Sequence, residues 1–145
     1  MTEVWIRASG TPIPQGSKVA GKTSSGRPFV RDANPRALKD WREAIAQAAW
    51  RAMQEGAFQI DALTEPVEVC VWLYFEKPAS SKAAEPVSAR VGDLDKHLRA
   101  ICDGLVDGGC LDDDKYVIRI SGSKQWADEN TRPGAMIHVI TTEGA

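Results

Sequence analysis

Nine residues in the middle of the chain, VEVCVWLYF at positions 67–75, constrain the fold most. Val67, Val69, Val71, Leu73 and Phe75 fall in one phase, and Cys70, Trp72 and Tyr74 fall in the other. Dense alternation of β-branched and aromatic residues predicts a strand, and one this apolar on both faces belongs at the centre of a sheet. Neighbours for it lie at both ends of the chain. Residues 4–8 alternate Val4 and Ile6 against Trp5 and Arg7, and residues 117–121 and 136–142 alternate in the same way. Between them, residues 16–32 are rich in Gly, Ser, Lys and Arg, and only 18–20 and 28–31 can pair there as a short basic hairpin.

Two segments carry helical period. Pro35 opens the first, residues 37–55 supply strong helix formers, and Gly56 stops it. Its apolar residues Leu38, Trp41, Ile45, Ala48, Ala49 and Met53 recur at three- and four-residue steps, the spacing of one buried face. Residues 94–106 form the second, with Leu94, Leu98, Ile101 and Leu105 as the core face and Asp95, Arg99 and Asp103 as a neighbouring polar row. Gly108 and Gly109 end it. The order strand, hairpin, helix, strand, helix, strand, strand predicts an α+β fold: a single domain over residues 1–145, a small mixed β-sheet with two helices packed on it.

Other features narrow the class. At 43% hydrophobic and 26% charged, the chain has the balance of a globular domain. No apolar run approaches the roughly 20 residues of a membrane span, and the opening MTEVWIRASG lacks a basic segment followed by an apolar one. The expectation is a cytoplasmic protein without membrane contact. Cys70, Cys102 and Cys110 form an odd set without CxxC spacing, which argues for reduced thiols rather than disulfides or zinc. His97 and His138 have no cysteine or serine partner at useful spacing and read as structural or exposed. The five tryptophans mostly hold periodic positions that suit a core or a dimer interface.

The net charge of −2 conceals a separation. Residues 1–42 hold eight bases against three acids, whereas residues 93–114 hold seven acids against two bases. Lys18, Lys22, Arg27 and Arg31 of the hairpin are candidates for phosphate contact, with Lys82, Arg90 and Lys124 as additions. A mosaic of ordinary solvated charges would look the same.

Within the acidic stretch, Asp93 and Asp95 stand together at a helix start, and Asp113 and Asp114 follow a helix and a glycine turn that lets the chain fold back. Paired carboxylates suit Mg2+, a hard cation that binds oxygen, and a cluster of them can hold ions that activate water for phosphodiester hydrolysis. Spacing alone leaves blander roles open: Asp93 as a helix cap, and Asp112 to Asp114 as a solvated turn. An EF-hand is excluded by spacing.

The stretch VGDLDKHLRAICDGLVDGGCLDDDKYV resembles the signature of the RusA family of Holliday junction resolvases, as a phage-type variant with GDLDK in place of DxDN. Asp93 and Asp95 fall on the family's DxD, Asp103, Gly104 and Leu105 on its DAL segment, Gly109 on its glycine, and Asp113 and Asp114 on its DD. The opening VWIRASGTPIPQGSK and the run KDWREAIAQAA resemble its first strand, Pro-rich turn and first helix. The specific motifs span about residues 92–117.

The resemblance implies a RusA-like homodimer that cuts branched DNA, four-way junctions above all, with Mg2+ or Mn2+ as cofactor. It places catalytic roles on Asp93, Asp95 and Asp114, metal ligation on these and Asp113, and a phage or prophage gene in a bacterial host. Lys96 stands where the family often has Asn, and it either binds phosphate or competes with metal for the carboxylates. Arg99 stands where the family often has Lys. It keeps a charge for the scissile phosphate one turn from Asp95, but a guanidinium does not shuttle a proton. The alternatives are a non-catalytic junction-binding protein and a phage interaction protein docking a basic partner.

Overall fold

The computed structural model describes residues 2–16, 18–32, 34–55 and 61–142, and their side chains except at positions 18, 19, 31 and 32. Along the chain run β1 (Glu3–Ser9), β2 (Lys18–Lys22), β3 (Pro28–Asp32), α1 (Pro35–Glu55), β4 (Val67–Phe75), α2 (Leu94–Asp107), a 3-10 turn (Asp114–Tyr116), β5 (Val117–Trp126) and β6 (Gly134–Thr141). Four strands form a mixed sheet in the order β1-β6-β4-β5, and β2 and β3 form the separate hairpin. The α+β expectation holds in element order and in kind. No described helix is long and apolar enough to cross a membrane.

β4 is central because both of its edges are paired, antiparallel to β6 and parallel to β5. Its inward residues Val67, Val69, Val71, Leu73 and Phe75 join Val4, Ile6 and Ala8 of β1 and Ala135, Ile137 and Val139 of β6. Against these pack Leu38, Trp41, Ile45, Ala49 and Met53 of α1 and Ala100, Ile101 and Leu105 of α2, one continuous core under one face of the sheet. On the other face Trp5 stacks on His138, with ring centroids 4.0 Å apart, and lies beyond it toward Trp72 at 6.1 Å.

The parallel pair β4 and β5 is joined through α2, a β-α-β crossover in which the helix runs back against the strands. The start of α2 therefore lies at the end where β4 finishes, and the end of α2 lies where β5 begins. Packing along the unit agrees: a Cβ on Gly122, well along β5, would meet Leu98 and Leu94 of the first turns of α2.

Two sequence expectations need correction. β5 extends to Trp126, five residues beyond the 117–121 read from alternation, because Trp72 to Phe75 of β4 pair with Ser123 to Trp126 despite their weak strand propensity. The buried face of α2 is His97, Ala100, Ile101, Gly104 and Leu105, with Leu94 and Leu98 only partly covered, and His97 is fully buried. Of the tryptophans only Trp41 is buried, while Trp5 and Trp50 are more than half exposed. The expected stop at Gly56 lies outside the described residues. Cys110 is buried and Cys70 and Cys102 half-buried, all as free thiols.

Candidate active site

The turn into α2 is built by close approach. Gly92 has φ +91°, and a Cβ there would sit 2.7 Å from Pro14 and 3.3 Å from the Nε2 of His97, so only glycine fits. Asp93 follows as the N-cap of α2 with extended backbone, yet its side chain makes no capping bond. The plain-cap reading therefore loses its main support. The carboxylate is exposed and lies 3.6 Å from the Lys96 ammonium, a loose surface pair of small energetic weight. Asp95, one residue into the helix, and Arg99, one turn on, are exposed and unpaired among the described residues.

Two groups beneath the turn are engaged by its backbone. His97 Nε2 lies 2.6 Å from the carbonyl oxygen of Val91, its ring edge-on to Phe75 at 5.1 Å, and Lys124 Nζ donates to the carbonyl oxygen of Gly92 at 3.0 Å. Burial lowers the His97 pKa from its usual 6.5, Lys124 lowers it further, and the Val91 carbonyl and Asp93 oppose the shift.

At the other end of α2, Leu63 bridges Leu111: Leu63 N donates to Cys110 O at 2.9 Å and Asp112 N to Leu63 O at 3.1 Å. This stitch holds the acidic turn against the body of the domain. Asp113 caps the 3-10 turn, accepting from Lys115 N at 2.8 Å. That backbone bond, and a hydrogen bond from Asp114, hold the Asp113 carboxyl below the ordinary range, while Asp113 and the neighbouring Asp103 charge raise that of Asp114. Burial pushes the Cys102 thiol up to about 11, with Asp114 and Asp103 adding to the shift, which places all three groups in one neighbourhood.

Asp113 and Asp114 consequently lie beside Asp103. Asp103 stands eight residues, or roughly 12 Å at the helical rise, from Asp95. Among the described residues no group of three or more His, Cys, Asp or Glu is placed to hold a metal ion. The expected fold-back of Asp113 and Asp114 onto Asp93 and Asp95 does not occur within one chain, because the β-α-β crossover puts the two pairs at opposite ends of α2. Carboxylates are the right donors for Mg2+, but the set from a single chain does not assemble into one site.

The connection from β1 to β2 joins this row. Gln15 N donates to Lys96 O at 3.0 Å, and the Gln15 amide donates to the Asp103 carboxylate, so the chain enters the hairpin directly from the charged face of α2. Lys22 and Arg27 of the hairpin are exposed, and the side chains of Lys18 and Arg31 lie outside the described residues. Lys96 is half-exposed beside Gly16, and Lys124 is half-buried under the turn rather than displayed to solvent. Sequence reasoning missed Gln15, Leu63 and the inward role of His97. Only Gln15 had a local signal, its place beside the Pro-rich turn.

The hairpin that carries Lys22 and Arg27 thus leaves directly from the helix face that carries Asp95 and Asp103. The family model for endodeoxyribonuclease RusA matches residues 9–139. The chain belongs to the RusA family of endodeoxyribonucleases, as the signature between Gly92 and Val117 implied. No curated protein matches it.

Proposed function

We propose that this chain is a divalent-metal-dependent endonuclease of branched DNA that acts as a homodimer on four-way junctions. The observation that carries the reading is the carboxylate row along α2, exposed at Asp95 and half-buried at Asp103, with the basic hairpin anchored to it through Gln15. Lys22 and Arg27, with Lys18 and Arg31, contact phosphates and set the DNA across this face. Arg99 contacts the scissile phosphate, and Lys96 moves between Asp93 and a phosphate oxygen.

Asp93, Asp95 and Asp114 are the proposed catalytic carboxylates, with Asp113 beside them. A bound Mg2+ or Mn2+ would supply a Lewis acid and activated water. Because Asp95 stands about two turns of helix from Asp103, the residue beside which Asp114 lies, the second chain of a two-fold dimer is the source of the missing carboxylates. The two-fold relation also matches the approximate symmetry of a four-way junction. A phage or prophage origin accords with the GDLDK variant.

Synthetic four-way junctions with a divalent-metal series test the reading. Symmetric nicking should appear with Mg2+ or Mn2+, and Asp114→Asn should abolish cutting while leaving junction binding intact. Full activity in that variant removes Asp114 from the reaction. The second reading, a junction-binding protein without cleavage, is favoured by the lack of a three-carboxylate group within the described residues of one chain. Binding without nicks under every metal would establish it.

A further inference from the structure

We propose that His97 and Lys124 are positioning residues for DNA cleavage: together they latch the turn that presents Asp93, by bonding the carbonyls of Val91 and Gly92. The proposal rests on the reading above in one respect, that Asp93 acts in the reaction.

Two consecutive carbonyls immediately before Asp93 are taken by side chains from two different elements. The Val91 carbonyl meets His97 Nε2 of α2 at 2.6 Å, and the Gly92 carbonyl meets Lys124 Nζ of β5 at 3.0 Å. Because the acceptor is a carbonyl, His97 carries its proton on Nε2 and donates. Core packing alone does not ask for either group. Position 97 is fully buried, where a leucine would fill the space, and Lys124 lies in a half-buried strand position with its ammonium under the turn. Burying polar groups is unfavourable unless they are bonded, and the bonds made here go to the turn, through Nε2 of His97, whose Nδ1 has no partner among the described residues, and through Nζ of Lys124.

The latch matters because the Asp93 side chain has no firm restraint of its own, although the Asp93 carbonyl accepts from His97 N at 3.2 Å and the amides of Val91 and Gly92 donate to the Ser88 carbonyl. The Asp93 side chain makes no capping bond, and its one ionic partner among the described residues is the loosely held Lys96. The direction of its carboxylate is therefore set by the backbone of residues 91–93. That backbone is confined on its third side by Pro14, which leaves Gly92 no room for a Cβ. Pro14, His97 and Lys124 thus grip the turn from the β1–β2 connection, from α2 and from β5. A carboxylate misplaced by about 1 Å can lower a rate about a hundredfold.

The test compares Lys124→Met, Lys124→Arg, His97→Leu and His97→Gln in the full chain on four-way junctions with saturating Mg2+. Lys124→Met and His97→Leu should each lower kcat by about tenfold or more, with KM within about twofold of the parent, because the DNA-contacting surface is untouched. Lys124→Arg and His97→Gln keep a donor and should recover most of the rate. Amide hydrogen exchange at Val91 and Gly92, whose N–H groups donate to the Ser88 carbonyl, should quicken in the first pair and not in the second. If His97→Leu fails to fold, Lys124→Met still decides. Raised KM with unchanged kcat in Lys124→Met would make Lys124 a DNA contact and overturn the latch, as would lowered thermal stability with kcat intact. Asp93→Asn separates the two claims. A dead Asp93→Asn beside fully active latch variants defeats the latch alone, whereas an active Asp93→Asn defeats the reading on which it rests.

Discussion

Gly104→Ala measures how closely the two helices must approach to place the carboxylate row. A Cβ at position 104 would stand 2.6 Å from Cγ2 and 2.7 Å from Cβ of Ile45, and 3.3 Å from its Cδ1. Ile45 is fully buried, and its Cβ is fixed to the backbone of α1, so no rotamer change removes the clash. Relief requires α1 and α2 to move apart. Overpacking costs about 1–3 kcal/mol, and contacts this short against a fixed Cβ take the upper part of that range, about 2–3 kcal/mol, while alanine in place of glycine inside a helix returns about 1 kcal/mol. The net expectation is a loss of about 1–2 kcal/mol. At roughly 3 °C per kcal/mol for a domain of this size, the melting temperature falls by about 3–6 °C. Thermal and urea denaturation at fixed protein concentration read the change, with the urea slope unaltered because the surface exposed on unfolding is the same. Cleavage should fall as well, since α2 carries Asp95, Arg99 and Asp103. A variant as stable as its parent, or more stable, would refute the reasoning: helix propensity would then have won, and the approach at Gly104 would not be a close one. The family's DAL segment has alanine where this chain has Gly104, and Ile45 occupies the space that such an alanine would need.

Stability should depend on pH through His97. Its pKa is lowered in the folded state, chiefly by burial, so the unfolded chain takes up the proton first. The contribution is flat above about pH 6.5 and becomes a growing loss as pH falls from there toward the lower folded value. Urea midpoints between pH 7.5 and 5 should show this decline, and His97→Gln should flatten it; an equal decline in that variant assigns the effect elsewhere. Replacing Lys22 and Arg27 by alanine should weaken junction binding across sequences and reduce the slope of log K against log salt by about 0.9 for each phosphate that is no longer neutralised. An unchanged slope would take the hairpin out of the interface.

Much of the fold was legible because its signals are local. Alternation of period two marked β1, β4 and β6 from side chains two residues apart, and steps of three and four marked the buried face of α1. The candidate carboxylates were equally visible, since Asp93, Asp95, Asp113 and Asp114 form a compact signature in a short stretch.

What periodicity missed depends on partners distant in sequence. The GSKQW end of β5 has little strand character of its own and is held by parallel pairing to β4, some fifty residues away. The buried face of α2 was rotated from Leu94 and Leu98 toward His97 and Gly104, because Gly104 and Gly108 let α2 settle onto Ile45 and Ala46 of α1. That rotation carried His97 under the turn before Asp93.

The residue types and the elements they form were thus determined by the sequence alone, through side-chain chemistry and short-range backbone preference. The placing of the acidic groups was decided by tertiary structure. A β-α-β crossover runs its helix against its strands, and the bond from Asp112 to Leu63 pins the following turn at the far end, so Asp113 and Asp114 came to rest beside Asp103 instead of Asp93. Spacing along a chain limits how near two groups can come, but packing sets how near they are.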